Sequence, residues 1–257
     1  MKSNMLPLER RFVLFIVMLI AVACFAGPAF AQGVSPALLT LENKQRIELA
    51  VRRYAIDKPF LMATIHWLRD LAKNSREPAV IAQLSRLEFM NAQLEIDKNR
   101  RIQLFENCVA IADHALALDA NDIGGLYWKA AAMGKLAKDT GILNALRMLR
   151  PMEKMLLRVV ALDEKYEDAG GHRALGRMYY KLPGFPISFG SNQKALTHLK
   201  RAHELFPNDI ITRVFYAEVL YDEGRKEEDA LEFAEYVDIA LDIVRKTGGS
   251  GIKLGNF

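Results

Sequence analysis

Five histidines, His66, His114, His172, His198 and His203, are the side chains best suited to move protons or hold a metal. None belongs to a His-Glu-x-x-His motif, and no two stand at i, i+4, the spacing that aims two imidazoles of one helix at a single ion. Neither a metal centre nor any other cofactor is expected. Asp168 and His172 do stand at i, i+4, and read as a helix surface pair rather than half of a catalytic dyad. Cys108 lies in the apolar helical stripe from Leu104 to Ala112, with no adjacent Lys or Arg to lower a thiol pKa, so a buried, inert thiol is expected. No G-x-x-x-x-G-K-[ST] loop or G-x-S-x-G elbow occurs, and Gly248-Gly249-Ser250-Gly251 follows a helical pattern rather than a strand. No residue pattern marks an enzyme.

The spacing does gather positive charge. Arg173, Arg177 and Lys181 follow one another at i, i+4, a repulsive stripe on one helical face unless an anion offsets it. Two sources are open: an anionic ligand or partner, or acidic residues of neighbouring helices such as Glu218 and Asp97. The segment Leu182 to Gly190 is the second feature. Its two prolines and two glycines prevent a helix, and it carries Phe185, Ile187 and Phe189. Such a loop either tucks between helical units as a plug or meets a partner directly. Trp67 and Trp128 are expected in the core.

These residues sit in a chain of 257, 51% hydrophobic and 26% charged, a balance that excludes disorder and disulfide scaffolds and suffices for a large core. The net charge of +4 is too small to argue for nucleic acid. Lys2, Arg10 and Arg11 precede an apolar run from Phe12 to Phe25, then Gly27-Pro28 and Ala29-Phe30-Ala31, which has the form of a secretory signal peptide cleaved after Ala31. Cleavage there removes three basic residues and one acidic one, Glu9, and lowers the net charge to +2. The run is short of the roughly 20 residues of a permanent membrane span. Ala21-Val22-Ala23-Cys24 is a loose lipobox, so a lipoprotein anchored through Cys24 is the alternative to a periplasmic protein.

Apolar residues recur at helical spacing almost throughout, so the chain is expected to be all-α, with roughly ten helices joined by short loops. Starts are marked by Ser35-Pro36, Asp57-Lys58-Pro59 and Glu77-Pro78, and stops by Asp119 to Asp122, Pro207-Asn208-Asp209 and Gly224. One helix end occurs three times, in Ala115 to Asp122, Val159 to Tyr166 and Ala202 to Asp209. With it, Leu175-Gly176-Arg177-Met178-Tyr179, Ala195, Ala202 and Pro207 resemble the tetratricopeptide repeat, a helix-turn-helix unit of about 34 residues. The frame gives units at about 89 to 122, 123 to 166, 167 to 209 and 210 to 243, the first of standard length, the second longer around Thr140 to Arg150 and the third around Lys181 to Ser191. Ala130 and Ala217 replace the usual glycine. Gly176 and Ala195 are small so that paired helices can approach, with Gly176→Leu expected to be disruptive and Gly176→Ala nearly silent. Within the repeat proteins, Tyr127 to Gly134, Leu162 to Tyr166, Leu175-Gly176, Tyr180 to Pro186 and Ala195, Leu199, Ala202 resemble the TatT family, envelope proteins associated with TRAP transporters. The segment Ile187 to Ser191 departs from that family's P-x-x-x-G-G.

The resemblance implies hairpin repeats stacked into a short solenoid, after a signal peptide (1–31) and a helical N-terminal cap (32–88), with the repeats at 89–246 and a flexible tail at 247–257. It implies a concave groove lined by first helices, which in this frame selects Gln93, Asp97, Arg100, Arg101, Tyr127, Lys135, Arg173, Arg177, Tyr180, Lys181, Glu218 and Tyr221. With Phe185 and Phe189, the groove of units two to four is the expected binding surface. The expected function is non-enzymatic: a scaffold or transporter accessory that binds a protein, a small anionic ligand or both, without nucleic acid. A scaffold in envelope assembly and an enzyme with an unrecognised site are the alternatives. The sequence leaves the oligomeric state open, and places the protein on a membrane only through Cys24.

Overall fold

Helix starts in this chain are set by side chains that accept the N–H groups a first turn leaves open. Asp57, Asp97, Asp122, Ser191 and Asp209 each accept the backbone N–H three residues ahead, at 3.1, 2.8, 2.6, 3.3 and 2.9 Å. Pro78 opens its helix without such a cap, its fixed φ suiting the first turn. The computed structural model describes residues 40–223, with the side chains of residues 142 and 143 excepted, and all but Thr40 belong to one compact unit. The expected signal peptide, Cys24, Gly224 and the tail lie outside the described residues.

Among the described residues the helices are α1 (Leu41–Arg53), α2 (Lys58–Ala72), α3 (Pro78–Gln93), α4 (Lys98–Leu118), α5 (Ile123–Thr140), α6 (Ile142–Leu162), α7 (Tyr166–Lys181), α8 (Asn192–Leu205) and α9 (Ile210–Asp222), with no strand. Successive helices pack as hairpins, and α1, α3, α5, α7 and α9 also touch one another in turn. These odd-numbered helices form an inner layer, and α2, α4, α6 and α8 an outer one, as in a helical-repeat solenoid. Ile65, Leu68, Leu87, Phe105, Val159, Leu175 and Leu199 are fully buried between the layers, each worth about 1.5–3 kcal/mol relative to exposure.

The units beginning at 123, 167 and 210 coincide with α5, α7 and α9 to within a residue. The first does not. Its hairpin begins at Pro78, because α4 runs for 21 residues and α3 already spans position 89. The extra residues near Thr140 lengthen α5 and α6, which meet at Gly141 with φ +90°. Ala130 and Ala217 are buried at the close-packing positions. Gly176 lies against Leu199, where a Cβ would sit 2.5 Å from its Cγ and 3.2 Å from the carbonyl oxygen of Ala195. The close approach is as expected, but it leaves no room for alanine either. Trp128 is in the core, whereas Trp67 is half-buried beneath the Arg46 guanidinium, 4.7 Å from its ring.

Candidate interaction surface

The cations of α7 find their anions inside the molecule. Arg173 donates to Asp209 Oδ2 at 2.9 Å and to the carbonyls of Asp168 and Glu167 at 3.0 and 3.2 Å. Arg177 and Lys181 both reach Glu218 of α9, Lys181 at 2.5 Å, and the Arg177 guanidinium lies 4.2 Å from the Phe215 ring. Burial alone would raise the Glu218 carboxyl, and Lys181 and Arg177 more than offset that, so it titrates below the usual range. Tyr180 donates to Asp222, and burial followed by that bond raises its hydroxyl. Of the two internal partners foreseen, Glu218 is there; Asp97 instead caps α4. Tyr221, on α9, is exposed.

The start of α7 departs from every other helix. Where Asp122 and Asp209 cap α5 and α9, the equivalent position carries Lys165 and Tyr166, with no side-chain cap. The backbone takes a left-handed turn instead, with φ of 50°, 53° and 59° at Glu167, Asp168 and Ala169. Asp168 and His172 therefore do not form the expected helix pair. The turn aims Glu167 at Arg86, a buried guanidinium that lies 3.1 Å from its carboxylate and also pairs with Glu48 of α1. Burial raises the Glu167 carboxyl despite Arg86. A concavity of about 600 Å³ opens between Asp168 and the α8–α9 turn at Phe206 to Ile211.

Other groove positions divide. Tyr127 is buried in the core, edge-on to Trp128 and Tyr166, with Gly170 leaving room for its ring. Gln93, Arg101 and Lys135 converge on a cavity of about 150 Å³ with Glu95, Lys138 and Asp139. Arg101 binds Asp139 through two donors at 2.8 and 3.1 Å, Arg100 pairs with Glu95 at 3.2 Å, and burial, with Lys138, holds the Lys135 ammonium below its ordinary pKa.

The loop between α7 and α8 divides its apolar side chains between inside and outside. Phe189 tucks in, edge-on to Tyr179 and 3.9 Å beneath the Arg150 guanidinium. Phe185 and Ile187 point outward, 94% and 75% exposed. The loop is pinned by backbone bonds from Gly190 to Pro183, from Ile187 and Ser188 to Gly184, and from Ser191 to Tyr179, all at 2.9–3.1 Å.

Two histidines meet where the sequence shows no pattern. His172 Nδ1 lies 2.9 Å from His198 Nδ1 across the α7–α8 hairpin, and His198 stacks on Tyr179. Burial, then His172 and Lys194, push His198 down to about 4. Twenty-six residues separate the pair, so only the hairpin register reveals it. Cys108 is fully buried, and burial raises its thiol. Among the described residues no cluster of three metal-ligating side chains occurs.

The model of the TRAP transporter T-component family matches residues 89–248, more than half of the chain. The chain belongs to this family. No curated protein matches it. Among solved structures, TTC0263, a thermophilic tetratricopeptide protein of Thermus thermophilus, is 18% identical, with 70% of this chain and 81% of that one aligned at a TM-score of 0.51. MamA 41-end from Desulfovibrio magneticus RS-1 is 16% identical over 78% and 96% of the two chains, at a TM-score of 0.48. The T-component match begins inside α3 and takes in α4 to α9, so the α7 charge network, the histidine pair and the exposed loop all lie within it, while α1 and α2 precede it. No described helix of this T-component is long and apolar enough to cross a membrane.

Proposed function

We propose that this T-component is a non-catalytic accessory protein of a TRAP-type solute transporter, exported to the cell envelope, and that it binds another protein component of that transporter through the α7–α8 loop. The outward placement of Phe185 and Ile187 on a pinned loop carries the reading. Each large apolar side chain left in water forgoes about 1.5–3 kcal/mol that burial against a partner returns. A loop already held by its own hydrogen bonds loses little freedom on docking, so more of that gain appears as affinity. In this reading the network of Arg173, Arg177, Tyr180 and Lys181 with Asp209, Glu218 and Asp222 clamps α9 to α7 and steadies the helix from which the loop springs.

The test is binding of the full chain to the solute-binding and membrane components of the transporter, with and without Phe185→Ser/Ile187→Ser. The double variant should keep the wild-type melting temperature and bind roughly tenfold to a hundredfold more weakly, as losing central apolar anchors does. Undiminished affinity would remove the loop from the interface. Absence of any complex with the wild type would remove the transporter role.

A further inference from the structure

Helix α6 belongs to the outer layer, and its solvent side has an unusual composition. At 100° per residue, Leu146, Leu157, Arg150, Lys154, Arg147 and Arg158 fall in order within one arc of about 120°, and all six are exposed. Leu149, Met152, Leu156 and Val159 occupy the opposite, buried arc. The sole acidic residue of α6, Glu153, sits on the buried margin, where it accepts from the Tyr179 hydroxyl and from Arg150, each at 2.8 Å. The exposed arc thus carries four cations and no anion. Arg150 shares Glu153, and Arg158 donates to the Asn121 amide oxygen at 3.0 Å. Arg147 and Lys154 have no carboxylate within ion-pair distance among the described residues. The cations of α7, by contrast, all pair with two carboxylates, Asp209 at the cap of α9 and Glu218 within it.

We infer that the outer face of α6 rests on a bilayer surface bearing anionic headgroups. The cations form a line about 16 Å long, from Arg147 to Arg158, on a helix of the outer layer. A line of long, flexible cations suits laterally mobile headgroups, each able to move to its own Arg or Lys. Leu146 and Leu157, 44% and 43% exposed, border the cations along one edge, so the helix offers apolar contact beside charge, the pattern of helices that lie in the headgroup region. The (CH₂)n stems of Arg150 and Lys154 can follow those leucines while their charged ends stay among the headgroups. This face is distinct from the proposed docking loop. Arg150 over Phe189 nonetheless sets the two side by side, so a component bound at the loop would be met at the membrane.

Flotation of the full chain with vesicles of phosphatidylcholine, with and without phosphatidylglycerol, tests the inference. The apolar run Phe12 to Phe25 and its flanking cations are common to all proteins compared, so their contribution cancels between wild type and variant. The wild type should prefer the anionic vesicles, and added salt should erase that preference. Arg147→Gln/Lys154→Gln should weaken binding to anionic vesicles about 25-fold, at about fivefold for each cation near such a surface, with an unchanged melting temperature. Phe185→Ser/Ile187→Ser should retain anionic vesicle binding, so failure of the docking loop and failure of this face are read separately. Equal binding of wild type and Arg147→Gln/Lys154→Gln to anionic vesicles would overturn the inference, as would equal wild-type binding to both vesicle types. Loss of affinity for a transporter protein by Arg147→Gln/Lys154→Gln without lipid would make the face a protein interface instead, and also overturn it.

Discussion

Gly176 shows how little space two paired helices leave. An added methyl meets the branched end of Leu199 on one side and the carbonyl of Ala195 on the other, and the carbonyl, fixed in its helix, cannot move aside. Gly176→Ala should therefore cost about 1–3 kcal/mol, the range for overpacking a tight core. A thermal melt equal to wild type would show that the hairpin opens without penalty. The histidine pair makes a second prediction at this scale. His198 titrates near 4 in the fold against about 6.5 in the unfolded chain, so below pH 6.5 the unfolded state takes up a proton that the folded state refuses. The stabilisation is complete above pH 6.5 and is lost as pH falls through 4. Melts between pH 7.5 and 4 should show His198→Gln losing less stability on acidification than wild type. Parallel pH profiles would mean that the imidazole is not held neutral by its surroundings.

Among the elements, the entry to α7 departs furthest from what local sequence implies. Tyr166-Glu167-Asp168 reads as helix, and nothing near it announces a left-handed turn costing about 1–2 kcal/mol per residue. What holds the turn depends on remote partners: Arg86 on Glu167, and Asp209 on Arg173, whose guanidinium binds the two carbonyls a turn and a half before it. Asp168 is exposed and its side chain takes no part in that network, so Asp168→Gly removes strain and little else. It should gain about 0.5–1 kcal/mol, read as a rise in melting temperature; a fall would mean that the Asp168 side chain is needed there. The helix stops at Asp119 to Asp122 and Pro207 to Asp209, the repeated helix ends and the glycine at the hairpin contact were all legible, because each depends on residues a few positions apart. The first unit was misplaced because a standard repeat length was imposed where α4 alone runs for 21 residues and α3 begins at Pro78.

In the molecule as a whole, the stacking of units decides which cations meet a carboxylate. The i, i+4 spacing of Arg173, Arg177 and Lys181 was visible in the sequence, but their neutralisation depends on α9 lying against α7, which only the stacking of units decides. The same stacking leaves α6 in the outer layer with its cations exposed. It also buries Cys108, in α4, with no exposed surface, its backbone carbonyl accepting from the Ser85 hydroxyl of α3. A thiol so enclosed, and with its proton so tightly held, reacts with an alkylating reagent only in molecules whose α3–α4 contact has come apart. In a Cys24→Ser background, the labelling rate of Cys108 becomes an internal clock for the opening of the solenoid, readable in a cell extract as readily as in pure protein.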